Sequence, residues 1–147
     1  MLKVEITNNH PAWKKLGAMR FIRSVCQTAW QMQNKFEAEN SEISILLTND
    51  AFIQKLNAKY RKIDKPTNVL SFPMDDEVMR GDIIISYETV KKEAELENKS
   101  MKDHLALMVA HGTLHLAGYD HIKDNEAKEM ETLERKILTS IKKRNRQ

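Results

Sequence analysis

Three of the chain's five histidines fall in one short stretch, "HGTLHLAGYDH", running from His111 to His121. His111 and His115 stand four residues apart. On a helix that spacing puts both rings on one face, about 6 Å apart along the axis, where two imidazole nitrogens can converge on one ion. Gly118 suits a left-handed C-cap that ends the helix, and "YDH" can then bring His121 back to the same face. The segment is otherwise nearly all apolar, so its rings should be buried. A buried neutral imidazole must satisfy both nitrogens or carry a cost, and a metal removes that cost. Three neutral imidazoles suit zinc and leave a fourth position for water, the arrangement of an open catalytic site rather than a closed structural one. The same donors can hold Ni²⁺, Co²⁺ or Cu²⁺.

Other residues near this cluster are candidates for support. His104 lies seven residues before His111 and could share its face, though its place near the helix start predicts a solvent-facing ring or a supporting one. Asp120 could orient a ligating ring, as carboxylates beside metal-bound histidines do. Asp124 reads equally well as a helix cap. His10, beside Pro11 in a turn, is assigned no role.

The spacing H-x-x-x-H-x-x-G-x-x-H is that of the metzincin metalloproteases, where the residue after the first histidine is a glutamate acting as general base. Here it is Gly112. Met130 falls in a predicted helix, where a metzincin methionine turn is not expected. The ligand scaffold is present and the protease's base is absent, which disfavours a peptidase unless another carboxylate reaches the water.

The elements that must position these residues follow from periodicity. "LKVEIT" alternates and predicts a strand over 2–7. Pro11 opens a long amphipathic helix over about 12–37, with Trp13, Leu16, Arg20, Ile22, Val25, Ala29 and Met32 at roughly helical spacing. "EISILLT" (42–48) is a second strand. Thr48 or Asn49 caps a helix carrying Phe52, Leu56 and Tyr60 on one face, and Pro66 breaks it. "NVLSF" (68–72) and "DIIIS" (82–86) are strands joined as a hairpin, the latter buried on both faces. Ser86 caps a charged helix to about Glu97. Ser100 and Asp103 form a capping pattern for an apolar helix over 101–117. A last helix starts near Asp124 with Ala127, Met130, Leu133, Ile137, Leu138 and Ile141 on its apolar face. The expected fold is α/β (α+β): a single domain over 1–147, with a small mixed four-stranded sheet, about five helices, and the metal site at the C-terminal end of a buried helix.

Composition sets limits on function. The chain has 147 residues, 41% apolar and 31% charged, with net charge +3. That is a soluble balance and does not by itself announce nucleic acid. Its distribution says more: Lys55, Lys59, Arg61, Lys62 and Lys65 face one acid, Asp64, and the end "IKKRNRQ" is basic with no acid. Either could meet phosphate. Cys26, the only cysteine, excludes a cysteine-rich zinc site and reads as a buried, inert thiol. The first residues lack a signal-peptide core, and the longest apolar run, "LALMVA", is too short to span a bilayer. A soluble, cytoplasmic protein with no membrane partner is expected.

"HGTLHLAGYDH", together with "YRKIDKPTNVLSFP" and "GDIIIS" upstream, resembles the YbeY family of bacterial endoribonucleases. The three motifs occur in the family's order. The resemblance implies one Zn²⁺ per chain, held by His111, His115 and His121, with Arg61 as the functional arginine of the cleft. It implies cleavage of single-stranded RNA in maturation of the small-subunit ribosomal RNA 3′ end and in ribosome quality control. The partners would then be ribosomal RNA and the small ribosomal subunit, with no DNA expected. Asn68 departs from the aspartate that many members carry there, which weakens any carboxylate role at this position. Ser71 could line the cleft from its strand. Independently, zinc can polarise a phosphoryl oxygen, and an always-charged guanidinium can meet phosphodiester charge bidentately. No general base is visible, so attack by water and by the RNA 2′-hydroxyl both stay open. Two rivals stand beside this reading: a zinc hydrolase of another class, including a peptidase, and a ribosome-assembly factor whose metal is structural.

Overall fold

The computed structural model describes residues 1–37 and 40–145. Strands β1 (Lys3–Asn8), β2 (Glu42–Thr48), β3 (Val69–Pro73) and β4 (Met79–Ser86) form one sheet in the order β1-β2-β4-β3. β1, β2 and β4 run parallel, and β3 adds an antiparallel edge strand through the hairpin. The mixed sheet and the hairpin match the expectation from sequence.

Among the described residues there are six helices: α1 (Pro11–Leu16), α2 (Met19–Met32), α3 (Asp50–Arg61), α4 (Tyr87–Leu96), α5 (Met101–Leu116) and α6 (Asp124–Asn145). The extra helix comes from a break in the long one expected over 12–37. Gly17 ends α1 at φ 64°, a conformation that a glycine adopts without steric cost. α2 then stops at Met32, and Leu16 and Arg20, counted on its apolar stripe, are exposed.

Side-chain alternation along the strands splits the core in two. Ile43, Ile45, Leu47, Ile83 and Ile85 face the main cluster with Trp13, Trp30, Leu105, Val109 and Leu114. Leu70 and Ile84 point to the opposite face and pack under α3 with Ile53. β4 is therefore buried on both faces, as its unbroken isoleucine run implies. α3 turns Ile53 and Asn57 inward, while Phe52 and Tyr60 are exposed. The apolar face expected through Phe52, Leu56 and Tyr60 is thus rotated by about one residue. Asn49 caps this helix by accepting from Phe52 N, and its C-cap is Lys62 at φ 61°, so it stops before Pro66 acts.

The remaining caps are partly as expected. Ser100 accepts from Asp103 N at 3.0 Å. Ser86 stands at the N-cap of α4 but makes no capping bond; its hydroxyl donates instead to Asp50 at 2.5 Å. The basic end is held rather than frayed as far as Arg144, whose guanidinium donates to Thr28 Oγ1. The final residues of that basic run, 146 and 147, lie outside the described residues. Cys26 is buried and unpaired.

Candidate metal centre and cleft

α5 is apolar over most of its length, and its last two turns carry His111 and His115 into a cleft of about 930 Å³. One wall is the edge strand β3; the end of α3, the turn after α5 and the middle of α6 close the rest. Gly118, at φ 95°, reverses the chain after α5, and His121 returns to the two helical rings. One ligand atom from each of His111, His115 and His121 lies within 4.8 Å of the others. The sequence-predicted trio is therefore brought together.

The ring nitrogens face one another in an order that hydrogen bonds dictate. His115 Nδ1 is 3.0 Å from the Tyr119 carbonyl, which can only accept, so this nitrogen carries the hydrogen. His111 Nδ1 is 2.9 Å from Glu134 Oε1 and donates to it. Both Nε2 atoms are then bare lone pairs, yet they lie 3.0 Å apart. His121 Nδ1 is 3.2 Å from His115 Nε2. Lone pairs at that separation repel unless a cation sits among them. Tetrahedral zinc, with Zn–N near 2.0–2.1 Å, would space its nitrogens about 3.3 Å apart. The donor set therefore fits a metal ion of this kind. Burial, with the charges of His111 and His121 adding to it, holds His115 below its ordinary imidazole value and favours the neutral ligand form.

Glu134 is the residue that sequence reasoning missed. Asp120 and Asp124 were the carboxylates considered for orienting a ring, because they are close in sequence. Asp120 instead accepts from the backbone N–H groups of His121 and Ile122, at 2.6 and 3.1 Å, and shapes the turn that delivers His121. Its carboxylate is 4.0 Å from the His121 ring, too far for a hydrogen bond. A signal for Glu134 was present: it falls on the stripe of α6 that carries Met130 and Ile137, where a charge needs a partner.

Gly112 is explained by packing. A Cβ built there would lie 2.9 Å from Ile83 Cγ2 and 3.3 Å from Ser71 Oγ. Position 112 thus faces the sheet, where a larger side chain would press on Ile83 and Ser71. Ser71 does line the cleft, but its hydroxyl donates to the Gly112 carbonyl at 3.3 Å and clamps α5 to β3. Met130 is buried within α6 and forms no turn beneath the histidines.

His104 is corrected. It is buried, not solvent-facing, and it does not line the cleft. Its Nε2 lies 2.8 Å from Glu93 Oε1, joining α5 to α4. The same glutamate accepts from the Asn68 amide at 3.0 and 3.2 Å. An asparagine is a donor suited to that carboxylate, where an aspartate would face a like charge. His10, given no role, accepts from Ala12 N as the cap of α1 and pairs with Glu88.

Arg61 ends α3 at the mouth of the cleft. Among the described residues its guanidinium forms no ion pair. It is an uncommitted cation facing the same space as the three histidines.

Known proteins resemble this chain along most of its length. The family model described as Endoribonuclease YbeY matches residues 4–142. The Endoribonuclease YbeY of Nitrobacter winogradskyi is 46% identical over 140 residues, covering 88% of this chain and 73% of that protein. The Methylocella silvestris protein of the same name is 48% identical over 121 residues, covering 80% of this chain and 68% of its own. The solution structure of a Thermotoga maritima protein superposes with a TM-score of 0.69 at 25% identity, over 99% of this chain and 92% of that one. With its three motifs in place, its histidines gathered and relatives matched over most of its length, the chain belongs to the YbeY family of endoribonucleases.

Proposed function

We propose that this protein is a zinc-dependent endoribonuclease that cuts single-stranded RNA, acts in the cytoplasm on small-subunit ribosomal RNA at its 3′ end, and serves ribosome quality control. The observation that carries the reading is the set of three imidazole nitrogens within 4.8 Å of one another, in one cleft with Arg61. The names of the relatives support RNA as the substrate class. Among the described residues no helix is long and apolar enough to cross a membrane.

The roles divide among the chain's own groups. His111, His115 and His121 would hold one Zn²⁺, with Glu134 and the Tyr119 carbonyl fixing which nitrogen of two rings points inward. When bound, the metal supplies Lewis acidity toward a phosphoryl oxygen and lowers the pKa of water. Arg61 binds the phosphodiester and meets the negative charge that grows on its oxygens in the transition state. Ser71 keeps the helix that carries the ligands seated on the edge strand. The peptidase rival is disfavoured by the packing of Gly112 and by the engagement of Glu134 with His111.

Metal analysis of the purified protein tests the ligand set: about one zinc per chain is expected, lost in His115→Ala. Zinc that stays near stoichiometric in that variant rejects it. Cleavage of single-stranded ribosomal RNA by wild type, His111→Ala and Arg61→Ala tests the activity. Undiminished cleavage by both folded variants would place the nuclease elsewhere.

A further inference from the structure

The cleft contains an aromatic pair that the metal chemistry does not use. Tyr60 is the penultimate residue of α3 and is 57% exposed, although its position was expected to be a core one. Phe72 projects from β3 on the α3 face of the sheet and packs against the smaller core of Ile53, Leu70 and Ile84. The two rings meet edge to face with centroids 5.3 Å apart. Both line the cleft that holds the histidines. Tyr60 is therefore an exposed ring held on one side by a half-buried ring that packs on the smaller core. Such support fixes its orientation and lowers the entropy lost when a ligand stacks on it.

The charges around the pair are those of a nucleotide site. Arg61 is the next residue and shares the cleft. Lys59 Nζ sits over the Tyr60 ring, 5.1 Å from its centroid, a flexible contact that a stacking base would displace. An aromatic face beside two cations offers a stacking surface for a base and partners for the phosphates on either side of it. Bases in a duplex already stack on their neighbours, so only an unpaired base can lie on a protein ring.

We infer that Tyr60, propped by Phe72, is a base-stacking subsite that receives one unpaired nucleobase of the RNA and so confers single-strand selectivity on the cleft. The inference rests on the proposed nuclease reading. Stacking has no hydrogen-bond readout, so the subsite accepts purines and pyrimidines alike.

The test uses the full-length metal-loaded protein with short single-stranded RNAs of mixed sequence, scanned by an abasic nucleotide at each position. Binding and cleavage are measured for wild type, Tyr60→Leu, Tyr60→Phe and Arg61→Ala. Tyr60→Leu keeps an apolar group against Phe72 but has no π face. It should weaken single-strand affinity by about tenfold, with an unchanged salt slope, and Tyr60→Phe should restore it. In wild type one abasic position should cost affinity, and in Tyr60→Leu that position should cease to matter. Arg61→Ala should instead reduce the salt slope while retaining the abasic penalty. If Tyr60→Leu binds within about twofold of wild type and keeps the full abasic penalty, the subsite is overturned while the nuclease reading stands. If wild type neither binds nor cleaves these RNAs, both fall.

Discussion

Glu134 accepts a hydrogen bond from His111 Nδ1 at 2.9 Å, from a helix position 23 residues further along the chain. The carboxylate side chain is only 13% exposed, so its charge is held in place by the ring it orients. α6 thereby supports the histidine cluster without adding a ring to it.

The first prediction concerns that contact. Glu134→Ala should weaken zinc binding by about 10- to 100-fold, because the His111 ring loses its orientation and some basicity. Glu134→Gln keeps an acceptor but not the charge and should fall between. Competition with a chromophoric chelator measures both. Wild-type affinity in the two variants would mean that Glu134 only fills space on α6.

A second prediction follows from Gly112. Restoring the protease glutamate, Gly112→Glu, should cost about 3 kcal/mol or more, since it forces a charged side chain against Ile83 and Ser71. No peptidase activity should appear. Denaturant unfolding reads the stability; a variant as stable as wild type would show that α5 can lift from the sheet.

The role proposed for Arg61 separates binding of metal from action on phosphate. Arg61→Ala should leave zinc content and thermal stability unchanged, because the residue is exposed and carries no ion pair among the described residues. RNA cleavage should fall by about 100-fold or more, the usual effect of removing one preorganised donor to transition-state charge. A loss of melting temperature comparable to that of a core variant would make Arg61 structural.

The pH dependence of the metal-free protein should carry the imprint of His115. Its pKa is lowered in the fold, first by burial and then by its two neighbouring rings, from an ordinary value of 6.5. The unfolded chain then binds this proton more readily than the folded one. Stability should fall as pH drops below 6.5 and show no such effect above it. Thermal melting of chelator-treated wild type and His115→Gln across about pH 5 to 8 checks this. Equal slopes for the two would reject it.

Cys26 predicts the opposite sign. Burial pushes its thiol up to about 12, with the Thr113 hydroxyl opposing in part. The folded thiol stays protonated where an unfolded one ionises, so this group should cost stability as pH rises above 9.0. At mildly alkaline pH a thiol reagent should label Cys26 only after unfolding. Rapid labelling of the native protein would contradict its burial.

Much of the fold was legible because local pattern and global position agreed. "EISILLT" alternates between a main core and a smaller one, and the structure places a strand there with the same bounds. The isoleucine run of β4 announced burial on both faces. Agreement failed where a single residue outweighed periodicity. Gly17 broke the long helix, and the position of α3 over Leu70 and Ile84 turned Ile53 inward and left Tyr60 free for the cleft.

The candidate metal site divides in the same way. By itself the sequence determined the grouping of the three histidines, since His111 and His115 share a helix face through backbone geometry and Gly118 can turn the chain back locally to His121. Those are short-range relations, set within a few residues. Only tertiary structure decided what surrounds them: Glu134 on the His111 ring, His104 withdrawn to Glu93, Gly112 pressed on Ile83, and Arg61 and Tyr60 facing the same cleft. Each depends on how helices and sheet pack, and packing joins residues whose separation along the chain carries no periodic signal.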